Sequence, residues 1–125
     1  MKYRLAKESD IEAMIQLFHD DSLGASREKP GSPVADFYLQ AFKEVSEDPN
    51  NDLWVIENEG RVIGVMQLII IPHLNRSGTK RAQIESVHIH PDFQGRGLGR
   101  KFMEFAHKIA KEAGCGIVQL TTDKT

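Results

Sequence analysis

Between Leu53 and Ile89 the chain reverses direction twice through connections too short to hold a crossover. Leu53-Trp54-Val55-Ile56 reads as a strand and Asn58-Glu59-Gly60 as a turn. Val62 to Ile71 is a long strand rich in β-branched residues, stopped by Pro72. The polar stretch His73 to Lys80 makes a second turn, and Ala82 to Ile89 a third long strand that Pro91 closes. A parallel return would need about a dozen residues or more, so these strands must be antiparallel neighbours.

Helical periodicity flanks this meander. Tyr3-Arg4-Leu5-Ala6 alternates weakly and is expected to form a short strand. Ser9 stands three residues before Glu12, the spacing of a reciprocal cap, and Ile11, Met14, Ile15 and Phe18 follow on one helical face. A loop rich in Gly, Ser and Pro covers Asp20 to Pro33, and Ser32-Pro33 reads as the start of a second helix. That helix is traced by Val34, Phe37, Tyr38, Ala41, Phe42 and Val45 and ends in Glu47-Asp48-Pro49-Asn50-Asn51. After a glycine cluster, Leu98, Phe102, Phe105, Ala106, Ile109 and Ala113 predict a third helix, stopped by Gly114. Ile117-Val118-Gln119-Leu120 is the last strand. The order βααβββαβ gives an α+β domain over 1–125 with a mixed sheet, because the last strand returns through a helix and can lie parallel to its neighbour.

Composition removes several function classes. The chain has 125 residues, 27% charged and 40% hydrophobic, which suits one globular domain and argues against disorder. Lys plus Arg number 16 against 18 Asp plus Glu, so 16 − 18 = −2, without the basic excess of a nucleic-acid binder. The longest apolar run, Val62 to Ile71, is about half of the ~20 residues a membrane helix needs, and no membrane association is expected. Met1-Lys2-Tyr3-Arg4 leads into charge rather than an apolar run, so no secretory signal is seen. A single cysteine, Cys115, excludes an internal disulfide framework and a Cys-rich zinc site, and a reduced, cytoplasmic setting is expected. Of the five histidines only His88 and His90 are close in sequence, on one side of a strand, with no third ligand at a recognisable spacing. No metal is expected. Cys115 has no adjacent base, reads as a small buried filler, and does not suggest an acyl-cysteine.

The chemistry concentrates in Ile84-Glu85-Ser86-Val87-His88-Ile89-His90-Pro91-Asp92-Phe93-Gln94-Gly95-Arg96-Gly97-Leu98-Gly99-Arg100-Lys101. It is a strand, a glycine turn and a helix start with cations around the turn. Glycines let backbone N–H groups converge, and a helix N-terminus adds partial positive charge, so the unit suits a phosphate or pyrophosphate. A dinucleotide fingerprint would need glycine where Arg100 stands, and no Gly-Lys-Ser/Thr is present for a P-loop.

Gln94-Gly95-Arg96-Gly97-Leu98-Gly99 resembles the Gln/Arg-x-x-Gly-x-Gly/Ala loop of the GNAT family of N-acetyltransferases at every defined position. The strand ending in His-Pro, the amphipathic helix that follows, and the order βααβββαβ also match that family up to its fifth strand. The resemblance implies a GNAT acyltransferase fold and transfer of an acetyl group from acetyl-CoA to a primary amine of a small molecule or protein. It implies that Gln94, Gly95, Arg96, Gly97, Leu98, Gly99 and Arg100 surround the pyrophosphate of acetyl-CoA. Val87 and Ile89 would pair their backbone with the pantetheine arm, one N–H near Val87 facing the thioester carbonyl.

An amine nucleophile must lose a proton, and Glu85, on the same strand, is the candidate base, directly or through water. His88 is the second candidate and is expected on the other sheet face from Val87 and Ile89. His90 reads as structural, and His73 as a possible border of the acceptor site. Trp54, Phe37, Tyr38 and Phe42 read as core. The acceptor would be set by the loop Asp20 to Pro33, whose Asp21, Arg27, Glu28 and Lys29 favour neither sign of charge. An alternative is an acyl-CoA-binding regulatory module without turnover, or a fragment acting through a partner chain. The family continues past its fifth strand into a helix and two further strands, so the chain is expected to be an incomplete domain. It would lack the usual tyrosine acid and expose its last strand, and a homodimer is expected.

Overall fold

The computed structural model describes residues 1–20 and 27–121. Five strands form one sheet in the order β1-β2-β3-β4-β5. They are β1 (Lys2–Leu5), β2 (Asn51–Asn58), β3 (Arg61–Ile71), β4 (Lys80–Ile89) and β5 (Cys115–Leu120). The pairs β1–β2, β2–β3 and β3–β4 are antiparallel, as the short turns require, and β4–β5 is parallel. The mixed α+β fold therefore follows the order expected from the sequence.

Helices cover both faces. α3 (Leu98–Glu112) buries Leu98, Phe102, Ala106 and Ala110 at a spacing of four, with alanines where the helix lies closest to the strands. It packs on Ile56, Met66, Leu68, Ala82 and Ile84, with Tyr3 and Trp54 at the margin. Trp54 meets Phe105 edge-on at 4.9 Å, so it is core as expected. On the opposite face α1 (Ile11–His19) buries Ile11, Met14, Ile15 and Leu17 against Val55 and Val65. Beside it lies α2 (Asp36–Glu47), which buries no residue fully.

Two helix starts differ from the sequence expectation. Ser9 caps nothing: a 3₁₀ turn, Glu8–Asp10, precedes α1. There the carboxylate of Asp10 accepts the Lys7 N–H at 2.7 Å and the N–H groups of the two terminal Arg4 guanidinium nitrogens at 2.7 and 3.0 Å. A buried carboxylate with three donors outcompetes an exposed hydroxyl for the turn. Nor does α2 begin at Pro33; Ala35 is its N-terminal flanking residue, and Ser32-Pro33 is a cis peptide in the preceding segment.

Candidate active site

A break in the ladder of β4 organises the site. Gln67 pairs with Glu85 and Val65 with His88, so Met66 alone faces Ser86 and Val87. Ser86 absorbs the extra residue at a φ of 55°. This bulge reverses the phase of the strand. Before it, Ala82 and Ile84 point into the α3 core; after it, Val87 and Ile89 do. His88 accordingly lies on the opposite face, with its ring edge-on to Phe18 at 5.3 Å. Glu85 stands opposite Gln67, and cross-strand partners share a face, so Glu85 and His88 lie on one side of the sheet.

The bulge also sets the backbone. Ile84 turns its carbonyl to β5, accepting the Thr121 N–H at 2.9 Å, whereas His90 donates to the Ile63 carbonyl of β3 at 2.8 Å. Ile84–Leu120 is the last pairing between β4 and β5 among the described residues. Since backbone groups alternate sides along a strand, the Val87 and Ile89 amides face the side that β5 has left. The Ile89 carbonyl accepts the Gln94 side-chain N–H at 3.0 Å, which ties the strand exit to the loop that follows.

That loop leads through a 3₁₀ turn, Pro91–Phe93, capped by His90, whose Nδ1 accepts the Asp92 N–H at 3.1 Å. His90 thus has the structural position expected of it. Gly95 and Gly97 adopt left-handed φ of 78° and 75°, and nothing stands within 4 Å of where a Cβ would project at either. Gly97 flanks α3, and the first amide to bond back to it is that of Lys101, at 3.1 Å. The amides of Leu98, Gly99 and Arg100 therefore precede the helical ladder and remain donors. No acidic residue sits in this first turn. The Arg96 guanidinium lies over the Phe93 ring at 5.1 Å, and the exposed Arg100 reaches Glu104 at 3.3 Å. An open backbone cradle at the positive end of a 15-residue helix, with two arginines beside it, fits a phosphate or pyrophosphate group.

Across the sheet from α3, a cavity of about 210 Å³ opens between α1, α2 and the bulge. Its walls include Ile15, Phe18, Phe42 and Leu53, and its polar groups include Tyr38, Gln67, Ser86 and His88. Tyr38 and Phe42 pack against the α1-side core as expected and also form cavity wall, whereas Phe37 is 57% exposed rather than core. α2 buries no residue fully, so its apolar stripe is shared between the core and the cavity. The Tyr38 hydroxyl donates to Glu28 at 2.8 Å and accepts the Lys29 N–H at 2.9 Å, anchoring the preceding segment to α2; burial pushes its pKa up. His73 is not among the residues that line this cavity. Of the acceptor segment expected at Asp20 to Pro33, residues 21–26 lie outside the described ones. Burial also pushes the Cys115 thiol up, which disfavours a thiolate nucleophile. Among the described residues no three His, Cys, Asp or Glu side chains gather as metal ligands, and no helix is long and apolar enough to cross a membrane.

The sequence reading missed the bulge, although one signal marks it. Apolar residues fall at Ala82 and Ile84 and then at Val87 and Ile89, a shift from even to odd positions. Strict alternation cannot produce that shift without one unpaired residue.

Comparison with known proteins agrees with this architecture. The chain is 26% identical over 117 residues to the glucosamine 6-phosphate N-acetyltransferase of Trypanosoma brucei brucei, covering 92% of this chain and 75% of that one. It is 31% identical over 84 residues to the uncharacterized N-acetyltransferase YjgM of Escherichia coli, covering 67% of this chain and about half, 48%, of that one. The crystal structure of a transcriptional regulator from Bacillus halodurans C-125 superposes with a TM-score of 0.94 at 41% identity, over 98% of this chain and 82% of that one. The model of the acetyltransferase (GNAT) family matches residues 11–125, and the chain therefore belongs to the GNAT family of acetyltransferases.

Proposed function

We propose that the protein transfers an acetyl group from acetyl-CoA directly to a primary amine. The observation that carries this reading is the bulge at Ser86, which turns two backbone amides outward on a strand edge that runs into a glycine cradle. In this reading the amides of Gly95 to Arg100, with the Arg96 and Arg100 side chains, hold the pyrophosphate. Gln94 holds the strand exit against the cradle, and Val87 and Ile89 offer their amides to the pantetheine arm. Acetyl-CoA supplies an acyl group already activated as a thioester.

The residues of this chain supply the rest. An N–H donor at Val87 stabilises negative charge as it builds on the acyl oxygen. An alkylamine with a pKa of ~10 is mostly protonated at neutral pH, and Glu85, half-buried beside the cavity mouth, accepts that proton directly or through water. His88, on the same face, is the alternative acceptor. A thiol of pKa ~8.5 is a fair leaving group without a dedicated acid. The acceptor enters from the α1–α2 side, where the cavity reaches the bulge.

The Bacillus halodurans neighbour, a transcriptional regulator by name, favours a second reading: an acyl-CoA-binding module without turnover. Acetyl-CoA-dependent thiol release with a panel of amines separates the two. Release supports transfer, binding without release supports the module, and the absence of both defeats both readings. A cytoplasmic setting and a homodimer paired along β5, whose Leu120 is 51% exposed, complete the proposal; light scattering reads the oligomeric state.

A further inference from the structure

We infer that the acceptor is a small primary amine with an apolar body, seated in the cavity between α1, α2 and the bulge, rather than a phosphorylated amino sugar; this rests on the transferase reading above. Size is the first argument. At about 210 Å³ the cavity is smaller than the ~300–1,000 Å³ of pockets for drug-sized ligands.

Charge is the second argument. Among the described lining residues Arg27 is the one Lys or Arg, and its Nε lies 3.7 Å from the Glu28 carboxylate, which also lines the cavity. A phosphate dianion brought here would lose water and meet a guanidinium already shared with a carboxylate. The Arg27–Glu28 pair is neutral toward either sign, so the charge that favours an ammonium group is Glu85, beside the cavity opposite Gln67.

The walls decide what carries that ammonium. Ile15, Phe18, Phe42 and Leu53 offer apolar surface, and the Tyr38 hydroxyl is already engaged by Glu28 and Lys29. Such walls reward each methylene they bury, by roughly four-fold in affinity, and offer little to sugar hydroxyls. The glucosamine 6-phosphate acceptor in the name of the Trypanosoma relative is thus a poor match to this cavity.

The test is an acceptor series at saturating acetyl-CoA: ethylamine, butylamine, hexylamine, 2-phenylethylamine and glucosamine 6-phosphate, read as thiol release. The expected result is a kcat/KM rising roughly four-fold per methylene until the cavity is full, with 2-phenylethylamine at least ~10-fold above glucosamine 6-phosphate. A flat alkylamine series, or preference for the sugar phosphate, overturns the inference and leaves the transferase reading standing. Calorimetry of 2-phenylethylamine with the coenzyme A-loaded protein reads the cavity independently of turnover. Ala41 is exposed on α2 and lines the cavity, so Ala41→Trp fills it from outside the core. That variant should lose at least ~10-fold in amine affinity while acetyl-CoA affinity stays unchanged. Saturable binding that Ala41→Trp abolishes supports the cavity assignment even if no amine is turned over, in which case the transferase reading alone fails. Absence of saturable binding, or binding that Ala41→Trp leaves intact, refutes the assignment.

Discussion

Gly64→Ala tests how the core holds the cofactor strand. Gly64 lies on β3 between Ile56 of β2 and Ile89 of β4. A Cβ there would stand 2.7 Å from Ile56 Cδ1, 3.0 Å from Ile56 Cγ1 and 3.1 Å from Ile89 Cδ1. Ile56 is 0% exposed and surrounded by the α3 core, so its methyl has little room to yield. The backbone of Gly64 is not in the left-handed region, so alanine should gain about 0.5–1 kcal/mol by reducing the freedom of the unfolded chain. Overpacking of this kind costs about 1–3 kcal/mol. The net is a loss of up to about 2.5 kcal/mol, about 1 at the middle of both ranges, and for a domain of this length each kcal/mol lowers Tm by about 3–6 °C. Urea unfolding should show a lower midpoint at an unchanged slope. Displacing Ile89 should also weaken acetyl-CoA binding several-fold. Ile56→Val removes the nearest methyl, so it should cost less in the Gly64→Ala background than alone, by about 0.5–1 kcal/mol. A Gly64→Ala protein as stable as the parent, or an additive double-mutant cycle, would refute the packing argument.

Gly97→Asp should lower acetyl-CoA affinity at least ~10-fold by calorimetry, because a side chain strains the left-handed backbone and a negative charge enters the cradle; unchanged affinity would remove the cradle from the site. Glu85→Gln should lower turnover by ~10²–10⁴ while acetyl-CoA affinity holds, with the deficit shrinking at high pH where the amine deprotonates unaided; equal activity across the pH range would clear Glu85 of the role. The Arg4 guanidinium holds the Asp10 carboxyl below its ordinary range. Its contribution is therefore complete above the unfolded value of ~3.9 and is lost as pH falls through the lower folded value. Asp10→Asn should cost about 1–3 kcal/mol at neutral pH and give a shallower loss of stability on acidification, and a melt series with identical acid limbs would contradict this.

Periodicity made most of the fold legible. Short turns between Leu53 and Ile89 left no option but antiparallel pairing, and the amphipathic run from Leu98 to Ala113 required a helix on one sheet face. Local signals misled where a tertiary partner was stronger. Ser9 looked like a cap, but Asp10 took that turn because Arg4, on a strand, reached across to it. Tyr38 and Phe42 have core periodicity and do pack against the core, yet they also line a cavity, and Phe37 of the same stripe is exposed, since an apolar stripe does not specify which of its residues are covered. At the site, the glycine turn was readable because only glycine accepts the backbone at residues 95 and 97 without strain. The bulge was not read, because serine is an unexpected residue at positive φ and its signature was only the shifted phase of Val87 and Ile89. With that shift, Glu85 and His88 share a face that simple alternation would have denied them.

The most direct measurement of the central claim is the backbone amide spectrum of the protein titrated with acetyl-CoA. Saturable shifts should be largest at Val87, Ile89, Gly95, Gly97, Leu98, Gly99 and Arg100, with α2 and β1 little changed. Shifts absent from these amides, or centred on another part of the molecule, would contradict the account.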